Sequence, residues 1–162
     1  MTPDSTRGHI QRLSHVGICV RDLERSLRFY RDLLGFTYVS ELRVAGEPSD
    51  TLLQLRDVDL RASYLERDGT RIELLHYESP ATVGTERPRP MNQLGLTHLS
   101  LRVEDLAGLL DRLRAAGVNV LDRTRIDIPA FGAAAVFVTD PDGTLIELVQ
   151  APGDPAAPPG SG

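Results

Sequence analysis

Two histidines and two glutamates recur at matching places in a sequence that is largely written twice. His15 lies in "LSHVGICVRDL" and His98 in "LTHLSLRVEDL", while Glu73 lies in "RDGTRIELL" and Glu147 in "PDGTLIELV". A carboxylate in the middle of an apolar strand is costly to bury unless something compensates its charge. A bound divalent cation would compensate it and would also explain the accompanying imidazoles. The symmetry of the four residues, rather than any short spacing motif, predicts a metal site.

The alternation of side chains along a strand indicates which residues share the face of the candidate ligands. His15 falls opposite the apolar residues Val16, Ile18 and Val20, and Glu73 falls opposite Ile72 and Leu74. The second copy shows the same alternation around His98 and Glu147. The residues expected beside the ligands are Gly17, Cys19, Arg71, Leu75, Tyr77, Ser100, Arg102, Leu145 and Val149.

Each candidate ligand also has an ordinary interpretation. A lone strand histidine is more often a satisfied or exposed side chain, and a lone glutamate is more often solvated. The coincidence in both copies favours the metal interpretation. We interpret His76 as surface or linker packing because it alternates away from Glu73, and His9 as an inert residue of the polar N-terminal tail. Cys19 is interpreted as a small lining residue rather than a nucleophile.

The elements that would position these residues also repeat. A helical pattern follows each histidine strand, bounded by Asp22 and Gly35 in the first copy and by Asp105 and Gly117 in the second. The repeated Asp-Gly-Thr predicts a hairpin before each glutamate strand. Each copy therefore predicts a strand, a helix and three strands. The expected organisation is an N-terminal tail (1–11), a first βαβββ module (12–78), a linker (79–94), a second βαβββ module (95–150) and a disordered tail (151–162).

Composition excludes several classes of function. The 162 residues carry a net charge of −5, which gives no basic surface for nucleic acid. All 18 basic residues are arginine, so a lysine Schiff base or P-loop lysine is excluded. The single cysteine cannot form an internal disulfide, and neither a membrane-spanning apolar run nor a signal sequence is visible. We expect a cytoplasmic protein that works on a small molecule, without membrane or nucleic-acid partners.

The chain resembles the vicinal oxygen chelate superfamily, the group of glyoxalase I, methylmalonyl-CoA epimerase, extradiol dioxygenases and the fosfomycin and bleomycin resistance proteins. The resemblance is carried by "HVGICVRDLERSLRFYRDLLGF", "IELL", "HLSLRVEDL" and "DPDGTLIEL". It implies an α+β fold of two βαβββ modules that form a half-open, mostly antiparallel barrel around a central metal cavity. It further implies one divalent metal per site (Ni, Co, Zn, Mn or Fe), bound by His15, Glu73, His98 and Glu147, and a homodimer.

The resemblance implies a glyoxalase-like lyase or an epimerase-like isomerase that transfers a proton next to a carbonyl. The metal would act as a Lewis acid on vicinal substrate oxygens, and Glu73 or Glu147 would shuttle the proton. Two alternatives stay open at this point. The first is a resistance-type protein that binds a drug or natural product without turnover. The second is an iron-dependent ring-cleaving dioxygenase, in which Glu73 would not be a metal ligand.

The predicted substrate-binding residues are Cys19, Arg71, Tyr77, Arg102 and Phe137. Cys19 and Tyr77 stand where bacterial glyoxalase I has an Arg and an Asn that serve glutathione, which disfavours a glutathione substrate. An acidic residue of the epimerase has a loose counterpart in Asp57 or Asp59. Arg71 and Arg102 could hold a carboxylate or phosphate, or could instead pair with Glu73 or Glu147.

Overall fold

The structure is a computed structural model that describes residues 9–158. It divides into two compact units, one up to Thr82 and one from Val83 onward. The predicted tails therefore lie partly outside the described residues, at 1–8 and 159–162. None of the helices between residues 9 and 158 combines the length and the apolar character that crossing a membrane requires.

The first unit contains one four-stranded sheet in the order β1-β4-β3-β2. Its elements are β1 (Val16–Cys19), α1 (Leu23–Leu27), a π-helical continuation (Arg28–Leu33), β2 (Thr37–Ala45), α2 (Glu47–Leu53), β3 (Asp59–Arg67) and β4 (Thr70–Ser79). Strands β1 and β4 are parallel, whereas β3 pairs antiparallel with both β4 and β2.

The second unit repeats this topology with the order β5-β8-β7-β6. Its elements are β5 (His98–Arg102), α3 (Leu106–Ala115), β6 (Val120–Ile128), a 3₁₀ turn (Pro129–Phe131), β7 (Ala133–Thr139) and β8 (Leu145–Gln150). The β5–β8 pair is parallel and the other two pairs are antiparallel. The prediction of an α+β fold built from two βαβββ modules with mostly antiparallel sheets is confirmed.

Both main helices begin where the sequence predicted. The Asp22 carboxylate accepts a hydrogen bond from the Arg25 amide at 3.0 Å, and the Asp105 carboxylate accepts one from the Gly108 amide at 2.9 Å. These bonds satisfy amides that have no partner inside the first turn.

The predicted apolar, buried face of each sheet is also observed. Ile18, Val20, Ile72 and Leu74 are buried, with exposed fractions of 8% or less. On β8 the corresponding Ile146 and Leu148 are fully buried, at 0%. The candidate glutamates therefore point to the face opposite the apolar core in each unit.

Helix α2 was not predicted from the sequence. Its seven residues follow Gly46, which has a φ of 84°, and none of them is buried, so no apolar stripe announced it. Asp50 fixes its exit, because its carboxylate accepts hydrogen bonds from the amides of Asp57 at 3.1 Å and Val58 at 2.8 Å.

The repeated Asp-Gly-Thr forms two different turns. In the first unit Arg67 pairs with Thr70, so Asp68 and Gly69 make a two-residue hairpin turn with φ of 52° and 75°. In the second unit Pro141 takes the place of Arg67 and cannot donate a ladder hydrogen bond. The buried Asp140 carboxylate instead accepts from the amides of Asp142 at 2.9 Å and Thr144 at 2.7 Å.

Candidate metal site

Parallel pairing of the first and last strands brings each histidine to its glutamate. In the first unit Gly17 pairs with Glu73, and His15 lies two residues earlier on the same face. In the second unit Ser100 pairs with Glu147, and His98 again lies two residues earlier. Residues far apart in the sequence thus become diagonal neighbours at the same register in both units.

The ligating atoms of each pair approach closely. His15 Nε2 lies 3.1 Å from Glu73 Oε2, and their side chains are 33% and 13% exposed. His98 Nε2 lies 3.6 Å from Glu147 Oε2, with exposures of 27% and 29%. Both pairs are therefore half-buried but open to a ligand from solution.

A hydroxyl from the preceding residue contacts the other ring nitrogen of each histidine. Ser14 Oγ lies 3.0 Å from His15 Nδ1, and Thr97 Oγ1 lies 2.8 Å from His98 Nδ1. A hydroxyl that accepts a hydrogen bond from Nδ1–H leaves the Nε2 lone pair available, and this is the tautomer that metal binding at Nε2 requires.

An aromatic ring stands edge-on to each histidine. The Tyr64 ring centroid lies 5.5 Å from that of His15, and the Phe137 centroid lies 5.4 Å from that of His98. Tyr64 pairs with Glu73 across the β3–β4 ladder, and Phe137 pairs with Glu147 across the β7–β8 ladder. The two aromatic residues therefore hold equivalent positions.

Each glutamate also accepts a hydrogen bond from a hydroxyl. Tyr64 donates to Glu73 Oε1 at 2.6 Å, and Ser100 donates to Glu147 Oε2 at 2.7 Å. The hydrogen bond to Glu73, followed by burial, raises the pKa of Tyr64 to about 12. The Tyr64 hydroxyl therefore stays protonated and donates this hydrogen bond throughout the physiological pH range.

Sequence reasoning missed Tyr64, although a signal for it existed. Tyr64 precedes Glu73 by nine residues. A two-residue turn at Asp68-Gly69 places these two residues directly opposite each other on the hairpin. Counting residue pairs outward from the predicted turn would have placed Tyr64 opposite Glu73.

The chemistry and spacing of each pair fit a divalent metal. Metal–nitrogen and metal–oxygen distances of about 2.0–2.2 Å place two ligands of one ion roughly 2.8–3.6 Å apart at angles between 90° and tetrahedral. The separation of 3.1 Å in the first unit lies within this range and that of 3.6 Å in the second lies at its upper end. A separation of 3.1 Å also suits a direct N–H···O bond between His15 and Glu73. Between residues 9 and 158, no group of three or more His, Cys, Asp or Glu side chains is arranged to hold a metal.

The two predicted cavity arginines have protein partners other than the glutamates. Arg71 Nη2 donates to Glu66 Oε2 at 2.9 Å, across the same hairpin. Arg102 donates to backbone carbonyls of the C-terminal segment, at 2.9 Å to Ala151, 3.0 Å to Pro152 and 3.3 Å to Ala157. A substrate carboxylate or phosphate would have to compete with these contacts or join them.

The remaining predicted residues occupy the expected strands. Cys19 is exposed and pairs with Leu75. Burial, together with the nearby Cys19 and Glu73, raises the pKa of Tyr77. His76 lies on the other side of β4, with Nε2 3.7 Å from Glu78 Oε1, and His9 is exposed.

Comparison with known proteins matches most of the chain. The model of the Glyoxalase/Bleomycin resistance protein/Dioxygenase superfamily matches residues 12–148. An ethylmalonyl-CoA/methylmalonyl-CoA epimerase of Cereibacter sphaeroides is 34% identical over 145 residues, which cover 87% of this chain and 98% of the epimerase. A lactoylglutathione lyase of Salmonella typhimurium is 34% identical over 142 residues, which cover 86% of this chain and 93% of the lyase.

Solved structures show the same fold. The crystal structure of a glyoxalase family protein from Bacillus cereus superposes with a TM-score of 0.76 at 23% identity, covering 89% of this chain and 96% of that one. At this identity the likeness concerns the fold alone.

Proposed function

Because the chain belongs to the glyoxalase/bleomycin resistance/dioxygenase superfamily, we propose that it is a metal-dependent enzyme that transfers a proton at a carbon beside a carbonyl. The observation that carries this proposal is the His–Glu pair found at the same register in both units, with Nε2 facing Oε2. A core role would not require a ligating pair to be repeated on the face away from the core.

We propose that His15, Glu73, His98 and Glu147 together hold one divalent metal, which is Ni, Co, Zn, Mn or Fe. When bound, the metal supplies a Lewis acid for two neighbouring oxygens of the substrate. The hydroxyls of Ser14 and Thr97 hold the histidine tautomers, and Glu73 or Glu147 accepts the substrate proton.

The substrate class that we propose is a carboxylated acyl-CoA thioester, as in the epimerase relative. The first support is the 34% identity to a protein named ethylmalonyl-CoA/methylmalonyl-CoA epimerase, over 98% of its length. The second is that Cys19 and Tyr77 replace the two residues that serve glutathione in the glyoxalase I pattern. Arg71 and Arg102 would then bind the free carboxylate, and Cys19, Tyr77 and Phe137 would line the site.

The proposal is tested by hydrogen exchange at the substrate carbon. Metal-stripped protein is reloaded with one metal at a time and incubated with methylmalonyl-CoA or ethylmalonyl-CoA in D₂O, and deuterium uptake is followed by mass spectrometry. We expect deuterium exchange at the substrate carbon that requires the metal. The variants Glu147→Gln and Glu73→Gln should lose this exchange. Methylglyoxal with glutathione is the alternative substrate. Its turnover, without exchange of either thioester, would indicate a glyoxalase-like lyase instead of an epimerase-like isomerase.

The same preparation also separates the remaining classes of function. Loaded protein that binds either thioester without exchange would contradict the enzyme and leave a binding protein. Oxygen uptake with catechols on the iron-loaded protein would indicate the dioxygenase. Light scattering of the full chain tests the proposed homodimer.

A further inference from the structure

We infer that Tyr64 is a positioning residue for Glu73, which fixes the carboxylate so that one oxygen, Oε2, faces the metal together with His15. The inference rests on the proposed metal site, and it assigns a role to a residue outside the predicted ligand set. It concerns the orientation of a ligand and not the proton transfer itself.

The two oxygens of Glu73 have separate partners. Oε1 accepts the Tyr64 hydroxyl at 2.6 Å, and Oε2 lies 3.1 Å from His15 Nε2. A hydroxyl bond to a carboxylate is short and strong, so rotation that exchanged the oxygens would break it. Because Oε1 is held by the hydroxyl, Oε2 is the oxygen that Glu73 turns toward His15 and the proposed metal.

Tyr64 is itself held in place from several sides. Its backbone lies between two strands, opposite Glu73 on β4 and opposite Ser40 on β2. Its ring meets the His15 ring at 5.5 Å with an interplanar angle of 69°. One side chain thus contacts both proposed ligands of the first unit, and the strand register fixes it relative to them.

In the second unit a different residue donates a hydroxyl hydrogen bond to the glutamate, and the oxygen that accepts it is Oε2. Phe137 stands at the position equivalent to Tyr64 and has no hydroxyl, but Ser100 donates to Glu147 at 2.7 Å. The position equivalent to Ser100 in the first unit is Gly17, which has no side chain. Each glutamate therefore accepts a hydroxyl hydrogen bond, on the oxygen away from the histidine in the first unit and on the histidine-facing oxygen in the second.

The experiment measures Co²⁺ affinity of the metal-stripped full-length protein, by competition with a chromophoric chelator and by the visible absorption of bound Co²⁺. Tyr64→Phe keeps the ring and removes the hydroxyl. We expect a 10- to 100-fold weaker affinity, as for other residues that orient metal ligands, and an altered Co²⁺ spectrum. Tyr38→Phe, which removes a hydroxyl from a 41% exposed tyrosine on β2, is the matched control and should bind as wild type.

A second variant offers Glu73 a hydroxyl from the neighbouring strand β1 in place of the one from Tyr64. A Cβ added at Gly17 would lie 3.8 Å from Glu73 Oε2 and 3.3 Å from the end of the Leu75 side chain, which must shift slightly. Gly17→Ser in the Tyr64→Phe background would offer this hydroxyl to Oε2, as Ser100 does to Glu147, and we expect it to recover part of the affinity. Thermal unfolding of each metal-free variant verifies its fold.

The outcomes separate the inference from the proposed function. Wild-type affinity in Tyr64→Phe would overturn the inference and leave the metal site intact. An equal loss of affinity in the control Tyr38→Phe would also overturn it, because the effect would then not be specific to the bond between Tyr64 and Glu73. A wild-type protein that binds neither Co²⁺ nor the other candidate metals would overturn the proposed function and the inference with it.

Discussion

Tyr64 and Phe137 occupy the same position in the two units, each opposite the glutamate and edge-on to the histidine, but only Tyr64 carries a hydroxyl. The Tyr64 hydroxyl bonds to Glu73, whereas Glu147 takes its hydroxyl bond from Ser100 on the neighbouring strand. Each glutamate therefore accepts a hydrogen bond from a hydroxyl, but the donor is Tyr64 on β3 in the first unit and Ser100 on β5 in the second.

Ser100→Ala should weaken metal binding through Glu147. Ser100 donates to Oε2, the oxygen that also lies near His98, so its loss removes the bond that orients this carboxylate. We expect the metal affinity of Ser100→Ala to be roughly 10-fold lower than that of wild type, a smaller loss than in Glu147→Gln. Isothermal titration of the metal-free protein measures it, with the exposed Ser40→Ala as control. Equal affinity in Ser100→Ala and wild type would show that the bond does not orient Glu147.

The two glycines of the repeated Asp-Gly-Thr should tolerate alanine differently. Gly69 and Gly143 both have positive φ, at 75° and 91°, which costs an alanine about 1 to 2 kcal/mol. A Cβ at Gly69 meets nothing within 4 Å, whereas one at Gly143 would lie 2.6 Å from the Glu86 carbonyl oxygen. Gly143→Ala should lose roughly 1 to 3 kcal/mol more. Urea unfolding of both variants measures the difference, and equal losses would contradict the predicted clash.

The Arg61–Glu41 pair should contribute to acid sensitivity. Arg61 donates to Glu41 at 3.0 and 3.1 Å and Ser63 donates at 3.2 Å, and these bonds, the one from Arg61 first, hold the pKa of Glu41 below its usual value. The stabilisation is present above the unfolded pKa of about 4.3 and is lost as the pH falls through the lowered folded pKa.

Glu41→Gln should therefore reduce the fall in unfolding free energy between pH 5 and pH 2 by roughly 0.5 to 1 kcal/mol. Denaturant unfolding across this range measures the effect, with the exposed Glu104→Gln as control. An unchanged acid slope in Glu41→Gln would show that the pair contributes nothing measurable.

Arg102→Gln should release the C-terminal segment. The Arg102 guanidinium donates hydrogen bonds to the carbonyls of Ala151, Pro152 and Ala157, and a shorter glutamine side chain cannot reach all three. Faster amide hydrogen exchange over residues 151–158 is expected. If Arg102 also binds a substrate carboxylate, KM rises while kcat changes little. Unchanged exchange would mean that other contacts hold the segment.

The sequence predicted those features that depend on local pattern. The caps at Asp22 and Asp105 and the buried faces of the strands follow from side-chain chemistry and alternation. The sequence did not predict α2, because none of its seven residues is buried. It also did not predict the different turn at Pro141, because the Asp-Gly-Thr is identical in both copies and the change lies in the residue before it. The partners of Arg71 and Arg102 were not predicted either, since they depend on cross-strand register and on a distant segment. The four-ligand metal site remains a prediction.

The most direct test of that site is the number of metal ions bound per chain. Metal-stripped protein is reloaded with Ni²⁺, Co²⁺ or Zn²⁺, freed of excess ion and analysed by mass spectrometry for bound metal, beside His15→Ala, His98→Ala and the control His76→Ala. We expect one ion per chain in wild type and in His76→Ala, and a strong loss of bound metal in both His15→Ala and His98→Ala. Two ions per chain, or loss in only one of those two variants, would contradict a single metal held by both units.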